Sequence, residues 1–443
     1  MPFGSAYRHE RVLLVLVAIC ALSFAYGSGW QDVSRLGLTQ ALALDGTSRI
    51  DRYAGQTGDK ARYGGHWYSD KPPGISLLAF PAFEAMRATR LAGPDEEARG
   101  IWHRRGLLLA MRALIGGVAY AAATFLVGRA AERLRAGTGA LVAVTFALGT
   151  MALPLAATLL GHLPAGALAF AAFLFASQGR RGRQLAAAGA CAAAAVLFEY
   201  QAALIAMFLL GYVVLRTRSA RSTGAYVLGG VPFALALGAY NLAAFGSPLH
   251  FSYGYESAVF PEQQRGFFGI GIPSALSLAR TLVGHRGLVL LSPVLLFAAA
   301  GLVLLWRRGQ RLEAGVCSAV ALAFLVISAG YFDPYGGLSP GPRYFATSLA
   351  FLVLGLAETY ARWPRLTAVA ALASVAAMLF EAATYGPNFD FETVWSVVGL
   401  PRTAALPLVL APAAAALTLA LRPTLHRRAG ATPPQPTRRS PGP

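Results

Sequence analysis

Residues 69–93 read SDKPPGISLLAFPAFEAMRATRLAG, and whether this stretch crosses a membrane decides the topology of the whole chain. Its apolar part is nearly as long as the roughly 20 residues that span a bilayer core. Pro81 interrupts it, however, and the charged residues Glu84, Arg87 and Arg90 follow. We therefore expect an interfacial or re-entrant helix on the outer leaflet and not a full crossing.

The composition of the chain is that of a protein that lies in lipid. Hydrophobic residues make up 56% of its 443 positions and charged residues 13%, whereas soluble domains have about 25% charged residues. Long apolar stretches recur from end to end, which excludes a single large soluble core. The net charge of +18 does not indicate nucleic-acid binding, because the arginines stand in short clusters between apolar runs and not along one basic face.

Twelve apolar stretches are predicted to cross the membrane as helices. They are residues 12–29, 107–128, 138–157, 163–178, 185–200, 201–216, 224–244, 287–306, 312–331, 344–361, 366–383 and 404–421. With the N-terminus in the cytoplasm, every second connection carries arginines, as the positive-inside rule requires of cytoplasmic loops. These clusters are Arg129, Arg133 and Arg135; Arg180, Arg181 and Arg183; Arg216, Arg218 and Arg221; Arg307, Arg308 and Arg311; Arg362 and Arg365; and Arg422, Arg427 and Arg428. A further crossing at 74–91 would place all of them outside.

The predicted fold is an all-α polytopic membrane protein with one domain over residues 1–423. Within it, residues 30–105 form a long extracytoplasmic first loop with interfacial helices. The first apolar run follows two arginines like a signal peptide, but its length and the lack of a small-x-small cleavage site favour an uncleaved helix. Residues 424–443 are rich in Pro, Arg and Thr and are predicted to be a disordered cytoplasmic tail.

The three cysteines give no indication of a metal site or a disulfide. Cys20, Cys191 and Cys317 each stand inside an apolar run, without ligand-type spacing to one another or to a histidine. We interpret them as small hydrophobic residues.

The first outer loop carries most of the candidate site residues. Both lysines of a chain that otherwise uses arginine, Lys60 and Lys71, lie in it, and an ammonium is a compact charge suited to a phosphate oxygen. The loop also holds the aspartates Asp32, Asp45, Asp51, Asp59 and Asp70. The simpler alternative is a solvated loop whose mixed charges only keep it wet.

Three short motifs follow one another in a recognisable order. They are Asp32 in WQDVSRLGL, Lys71-Pro72-Pro73 in SDKPPG, and Arg112 in LLAMRALIGG. In this order and placement the chain resembles the GT-C class of membrane glycosyltransferases, among them the protein O-mannosyltransferases, the lipid A aminoarabinose transferases and the Rgt-like lipopolysaccharide glycosyltransferases. The segments GSPLHFSYGY, RGLVLLSPVLL and GGLSPGPRYF extend the resemblance, so that it covers roughly residues 1–345.

The resemblance implies transfer of a sugar from a polyprenyl-phosphate donor to an acceptor hydroxyl, with inversion at the anomeric carbon. It implies a carboxylate as general base and cations that hold the departing lipid phosphate. Asp32 is the first candidate for the catalytic base, followed by Asp51 and Asp59. Gln31-Asp32 stands where the family has an Asp-Glu pair, and Asp32 could equally cap a helix that begins near Val33.

Lys71 is the leading candidate for the phosphate ligand, because the proline pair after it fixes the backbone; its alternative role is snorkelling to the membrane surface. The other candidates for substrate binding are Lys60, Asp70, His66, Tyr68, Arg112, His162 and Arg343. Each of them has a simpler structural interpretation, as a loop residue, a helix anchor or part of an aromatic interface belt. Glu199 and Glu358 are assigned no role beyond polar helix ends.

No cofactor follows from the sequence with certainty. No cluster has metal-ligand spacing, although a divalent cation bound by the loop aspartates is left open. The expected partners are the polyprenyl-phospho-sugar donor, a glycan, lipid or protein acceptor, and membrane lipids. The rival functions are a transporter or lipid flippase, and a non-catalytic scaffold of the cell envelope. Transport is disfavoured because charges stand at helix ends and in outer loops and not at the middle of several helices.

Overall fold

The computed structural model describes residues 4–24, 29–89, 105–179, 182–257, 259, 261–337, 339–384 and 402–429. Its helices are α1 (Gly4–Leu22), α2 (Trp30–Asp45), α3 (Gly74–Ala88), α4 (Arg105–Arg112), α5 (Val118–Leu134), α6 (Gly139–Gly149), α7 (Ala152–Leu155), α8 (His162–Gln178), α9 (Gly182–Phe198), α10 (Ala202–Thr217), α11 (Ala220–Phe245), α12 (Ala275–Val283), α13 (Leu288–Leu291), α14 (Val294–Arg307), α15 (Arg311–Gly330), α16 (Leu349–Val353), α17 (Leu356–Arg362), α18 (Pro364–Thr384) and α19 (Arg402–Ala429). A π-helical turn, Ala113–Gly117, joins α4 to α5, and 3-10 turns lie at Asp51–Gln56, Ser252–Tyr255, Pro261–Gln264 and Arg343–Ser348.

Each of the twelve predicted spans overlaps a helix. Among the described residues, four helices are each long and apolar enough to cross a bilayer: Gly106–Leu134, Ala220–Phe245, Arg311–Gly330 and Pro364–Ala383. The number rises to six if two bent pairs count as one span each, Ala275–Leu291 with Val294–Arg307 and Arg343–Val353 with Leu356–Arg362. Several shorter apolar helices accompany them. The helical, apolar character of the fold is therefore confirmed, and the number of twelve crossings stays a prediction.

The stretch that begins at Gly74 forms the single helix α3, which continues past Pro81 to Ala88. Its buried face packs on α2, and Gly74 approaches the main-chain carbonyl of Leu197 so closely that a side chain there would collide with it. The opposite face leaves Leu77 and Leu78 exposed. An apolar face without a protein partner is typical of the interfacial helix that the sequence predicts.

A short β-hairpin, absent from the sequence prediction, organises the middle of the first outer loop. Strands β1 (Lys60–Tyr63) and β2 (His66–Ser69) pair antiparallel, with Lys60 opposite Ser69. The turn between them is Gly64-Gly65, both with positive φ (57° and 84°), as the tight turns that match strand twist require. This register brings the residues on either side of the open end, Asp59 and Asp70, next to each other.

The described part of residues 30–105, the predicted first outer loop, is a packed layer with a core of its own. Buried side chains from α2, the hairpin, α3, α4 and the end of α11 form a hydrophobic cluster that includes Val33, Ile50, Tyr68, Phe83 and Phe245. A second, much larger cluster fills the helix bundle. Because burial of apolar side chains fixes the positions of the polar ones between them, this loop differs from a solvated loop whose charges only keep it wet.

Two helix crossings rely on glycine. A Cβ added at Gly189 of α9 would overlap the carbonyl oxygen of Tyr226 in α11, and one added at Gly229 would overlap that of Ala186. Gly301 of α14 meets Gly355, at the start of α17, in the same way. Small residues let helix backbones approach closely, as in membrane helix pairs.

The last helix runs beyond the boundary predicted for the tail. α19 extends to Ala429, six residues into the segment 424–443, and the remainder of that segment lies outside the described residues. The three cysteines are free thiols; Cys20 and Cys317 are buried and Cys191 is partly buried.

Candidate active site

A polar pocket with about 400 Å³ of empty volume, its open mouth included, lies where the first outer loop meets the ends of later helices. Its lining contains three cations, two carboxylates and four aromatic rings: Arg35, Lys71, Arg343, Glu199, Glu256, Tyr253, Phe268, Tyr331 and Tyr344, with Gln31, His162, Gln201 and Gln263. Pockets that bind small molecules are lined by a few convergent polar groups among aromatic side chains. The pocket is therefore the candidate active site.

Lys71 lies at the open end of the hairpin, between two aspartates. Its Nζ is 2.7 Å from Asp70 Oδ2 and 3.5 Å from Asp59 Oδ1. Burial by itself would lower the pKa of the Lys71 ammonium, but Asp59, Asp70 and Glu256 outweigh burial and raise that pKa above its usual value. Lys71 thus stays charged, and its charge is already shared with neighbouring carboxylates.

The carboxyls around Lys71 outnumber the ammonium. Burial raises the pKa of Asp70, and the carboxylate of Asp59 adds to this effect, although Lys71 opposes it. Burial also raises the pKa of Glu256 to about 8, again with a contribution from Asp70. Like charges in a poorly solvated site cannot all be ionised at once. The cluster therefore retains protons at a pH where free carboxyls have lost them.

Arg35 of α2 holds a second set of polar side chains. Its Nη1 donates a hydrogen bond to Gln31 Oε1 at 2.6 Å, and its Nη2 lies 3.4 Å from Glu199 Oε1. His162, the first residue of α8, places its Nδ1 3.6 Å from the same carboxylate oxygen. Gln31 and Arg35 are four residues apart and so share one face of α2. Glu199 therefore joins α2, α8 and the end of α9 at the wall of the pocket.

Arg343 is the cation of the pocket that lacks an ion pair with the part of the chain that the structure describes. Its Nε is buried without a hydrogen-bond partner among those residues. The guanidinium carbon lies 5.4 Å from the centre of the Tyr344 ring. Gly336, with φ of 74°, makes room for it, because a side chain there would lie 2.7 Å from the Arg343 Nε. A half-buried cation without an ion pair among the described residues favours an anionic ligand.

Asp32 and Arg112, two predicted site residues, bind each other and do not line the pocket. Arg112 Nη2 donates to Asp32 Oδ2 at 2.9 Å, and both residues are buried. The same oxygen accepts the main-chain N–H of Gly29 at 2.8 Å, next to the first residue of α2, Trp30. Asp32 thus satisfies the start of a helix, but as the third residue of α2 and not, as its alternative interpretation had it, as the cap of a helix that begins near Val33. Its catalytic role stays a prediction.

Asp51, the first residue of the 3-10 turn Asp51–Gln56, and His66 of β2 also lie outside the pocket lining. The Asp51 carboxylate accepts a hydrogen bond from the Trp67 main-chain N–H at 2.7 Å and lies 2.8 Å from His66 Nδ1. Burial alone would raise the pKa of Asp51, but the bonds to Trp67 and His66 outweigh it and lower that pKa. This pair fastens the start of β2 to the preceding 3-10 turn, and no catalytic role for Asp51 has been tested.

Lys60 and Tyr68 are hairpin residues as well. The Lys60 ammonium donates to the carbonyl of Ala54 and lies 4.6 Å from the centre of the Trp67 ring. Tyr68 is buried, with its ring centre 5.3 Å from that of Phe245. Neither residue reaches the pocket lining, so their predicted contact with substrate stays a prediction.

The pocket contains residues that the sequence analysis did not select. Arg35 could have been found from its spacing to Gln31 on one helix face. Glu199, an ionisable residue at the end of an apolar helix, carries a signal of its own; the interpretation of it as a mere polar helix end missed its place in the pocket. Glu256 has no such local signal, since its placement depends on contacts with a distant part of the chain.

Glu358 is a second buried acid, remote from the pocket lining. Arg343 stands at the start and Glu358 near the end of the same bent helix pair, Arg343–Val353 with Leu356–Arg362. The two carboxylate oxygens of Glu358 accept from Arg135 Nη2 at 2.7 Å and from Arg308 Nη1 at 2.8 Å. Glu358 is therefore held by two arginines and does more than end a helix.

The described residues contain no group of three or more His, Cys, Asp or Glu side chains that could hold a metal ion. The acidic pair Asp59 and Asp70 faces the Lys71 ammonium, which takes the place that a divalent cation would need. A cation bound by the loop aspartates stays an untested expectation, and we assign it no part in the chemistry.

Comparison with known proteins supplies the class of the fold. No protein-family model matches the sequence, and no curated protein matches it either. Among solved structures, the chain is similar to ArnT from Cupriavidus metallidurans, a GT-C aminoarabinose transferase whose crystal structure has undecaprenyl phosphate bound. The TM-score is 0.55 at 17% sequence identity, and the similarity covers 97% of this chain and 73% of that one. The predicted GT-C class fold is confirmed.

Proposed function

We propose that the protein is an integral membrane glycosyltransferase, a hexosyl- or pentosyltransferase, that moves a sugar from a polyprenyl-phosphate donor to an acceptor hydroxyl outside the cytoplasm. The observation that carries this proposal is the cation Arg343, whose buried Nε has no hydrogen-bond partner among the described residues and which lines the same pocket as Lys71 and two carboxylates. The fold shared with ArnT, a protein solved with undecaprenyl phosphate bound, supports a polyprenyl-linked donor.

The chemistry needs the charges that the pocket contains. Displacement of a sugar from a polyprenyl phosphate leaves a phosphate with one more negative charge. Fixed cations aimed at the place where that charge develops lower the barrier, and their effect is larger away from bulk water. Arg343 supplies positive charge that no ion pair among the described residues engages. Lys71 supplies a second cation whose position the hairpin and the proline pair fix.

The sugar ring would lie against the aromatic wall. Tyr253, Phe268, Tyr331 and Tyr344 line the pocket, and the apolar faces of a sugar ring pack well on such side chains. A carboxylate of the site takes the proton of the acceptor hydroxyl. Of the three predicted aspartates, Asp59 adjoins the pocket through Lys71.

The proposed topology has twelve crossings with both termini in the cytoplasm and the pocket outside. Two observations support it. Arg135 and Arg308, which bind Glu358, both stand in connections that the positive-inside rule places in the cytoplasm. Lys71 and Arg343, which line the pocket, both stand in connections assigned to the outer side.

The test is sugar transfer by the purified protein in lipid nanodiscs. A panel of radiolabelled polyprenyl-phospho-sugars is offered with a cell-envelope extract as acceptor, and wild type is compared with Arg343→Ala. We expect transfer by wild type and a loss of about 10²–10³-fold in the variant, the scale for one lost donor to a developing anion.

Arg308→Ala is the matched control, because it removes a guanidinium from the Glu358 cluster and leaves the pocket intact. It should transfer sugar at the wild-type rate. An Arg343→Ala protein that keeps full activity would contradict the assignment of the phosphate site. Absence of transfer from every donor by wild type would contradict the proposed function and favour the transporter or flippase.

A further inference from the structure

Glu256 differs from the other acids of the site in that no contact within the described residues occupies its carboxylate. Glu199 lies against Arg35, and Asp59 and Asp70 both lie against Lys71. The Glu256 side chain lines the pocket and has no hydrogen bond or ion pair to the described residues. We infer that Glu256 is the general base that takes the proton of the acceptor hydroxyl, an inference that rests on the proposed function.

The main chain fixes Glu256 beside the phosphate-binding side of the pocket. Glu256 forms an isolated β-bridge with Ala61 of β1. The next residue, Ser257, donates its N–H to the Lys60 carbonyl at 2.9 Å and its hydroxyl to the Gly58 carbonyl at 3.1 Å. A segment that follows α11 is thus tied to the hairpin that carries Lys71. This attachment holds the carboxylate in place without using its oxygens.

The surroundings make the carboxylate a stronger base than an ordinary glutamate. Burial and the neighbouring Asp70 raise the pKa of Glu256 to about 8, with Lys71 opposing them. A general base is most effective when its pKa lies near the operating pH. The carboxylates bound to Arg35 or Lys71 are less available, because accepting a proton would cost them an ion pair.

The step balances as a single displacement. A lone pair of the acceptor hydroxyl oxygen forms the bond to the anomeric carbon, and the bond from that carbon to the phosphate oxygen breaks. Its electron pair goes to the polyprenyl phosphate, which gains one negative charge facing Arg343 and Lys71. The hydroxyl proton goes to Glu256, which becomes neutral. The total charge of the site is unchanged.

The test compares Glu256→Gln with Glu262→Gln in the nanodisc transfer assay. Glu262 lies in the next 3-10 turn, Pro261–Gln264, outside the pocket lining, so it is a matched control for the same change of side chain. We expect kcat to fall about 10²–10⁴-fold in Glu256→Gln, the usual contribution of general-base catalysis, and to stay at the wild-type value in Glu262→Gln. Binding of a fluorescent polyprenyl phosphate should be unchanged in both variants.

The pH profile separates a base from a structural residue. In wild type, kcat/KM should rise with pH through the pKa of Glu256 near 8, because the carboxylate is the active form. That rise should be absent from the residual activity of Glu256→Gln. Because the pKa of Glu256 is raised to about 8, folding stability is lost as pH rises from the unfolded-state pKa to about 8, and the loss is complete at pH 9. Glu256→Gln should therefore melt higher than wild type at pH 9.

The outcomes distinguish the two claims. If Glu256→Gln transfers sugar at the wild-type rate and with the same pH profile, the inference about Glu256 is overturned. The proposed glycosyltransferase function is then unaffected. A Glu256→Gln variant that loses polyprenyl-phosphate binding but keeps kcat would also overturn it, by making Glu256 a binding residue. Absence of transfer by wild type would overturn the proposed function and, with it, the role of Glu256.

Discussion

Two clusters of buried charge occur in this protein, and they are built in opposite ways. At Glu358, one acid that is 3% exposed is bound by two arginines whose side chains are 39% exposed, and both carboxylate oxygens have a partner. In the pocket, Lys71 is surrounded by more carboxyls than it can neutralise, Glu256 has no partner among the described residues, and Arg343 has no counter-ion there.

The charged side chains at Glu358 stabilise the fold, whereas the charged side chains of the pocket are available to bind a ligand. A fully satisfied buried ion pair is evidence for structure, since removal of one partner leaves the other stranded. Shifted pKa values, and polar side chains without hydrogen-bond partners in a cleft, are evidence for function. Substitutions that break one cluster at a time should therefore differ in their effects on activity and stability.

Lys71→Met should have the largest effect, because it removes the ammonium that binds Asp59 and Asp70 and that also attracts the Glu256 carboxylate. Sugar transfer should fall by more than about 10³-fold. The folding stability of the Lys71→Met variant should depend steeply on pH. Carboxyls with raised pKa values stabilise the fold while they are protonated and destabilise it as they ionise. Relative to wild type, the loss in free energy of unfolding should be small at pH 5. It should approach about 3–5 kcal/mol at pH 9, the scale for a broken buried ion pair. Thermal melting in nanodiscs against pH measures it; a pH-independent loss would contradict the explanation.

Glu358→Gln should give the converse result. The two arginines lose their shared carboxylate, but each is partly exposed and can turn to water. The destabilisation should therefore be about 1–3 kcal/mol, less than for a fully buried pair. Sugar transfer at a temperature well below melting should stay at the wild-type rate. A large loss of transfer in this variant would remove the distinction between the two clusters.

Asp51→Asn should have the smallest effect, because the contacts of Asp51 with His66 and Trp67 are half exposed. The expected loss of stability is about 0.2–1 kcal/mol, as for an exposed pair. The pKa of Asp51 is lowered, so its contribution is present above the unfolded-state pKa and is lost as pH falls through the folded-state pKa. Melting temperatures of wild type and variant should therefore converge at acid pH, once Asp51 is protonated in the folded wild type; a difference that persists at low pH would exclude the carboxylate as the cause.

The sequence predicted the helical fold because each predicted span is an apolar run, and hydrophobicity is a local property. It predicted α3 and placed Lys71, His162 and Arg343 among the site residues, although their roles have not been tested. It did not predict the hairpin, whose Gly64-Gly65 turn is a signal that the charged neighbours obscured. It also missed Glu256, because a pairing between residues 61 and 256 leaves no trace in local periodicity.

The glycine crossing of α9 and α11 sets a limit on how the length of this chain can change. Gly189 and Gly229 lock the two helices at one axial position, and Glu199 stands ten residues beyond Gly189, about 15 Å along the helix direction. One inserted residue between them would turn Glu199 by about 100° and shift it by about 1.5 Å, away from Arg35. We therefore expect insertions and deletions to be excluded between 189 and 199 and tolerated in the connection between α14 and α15.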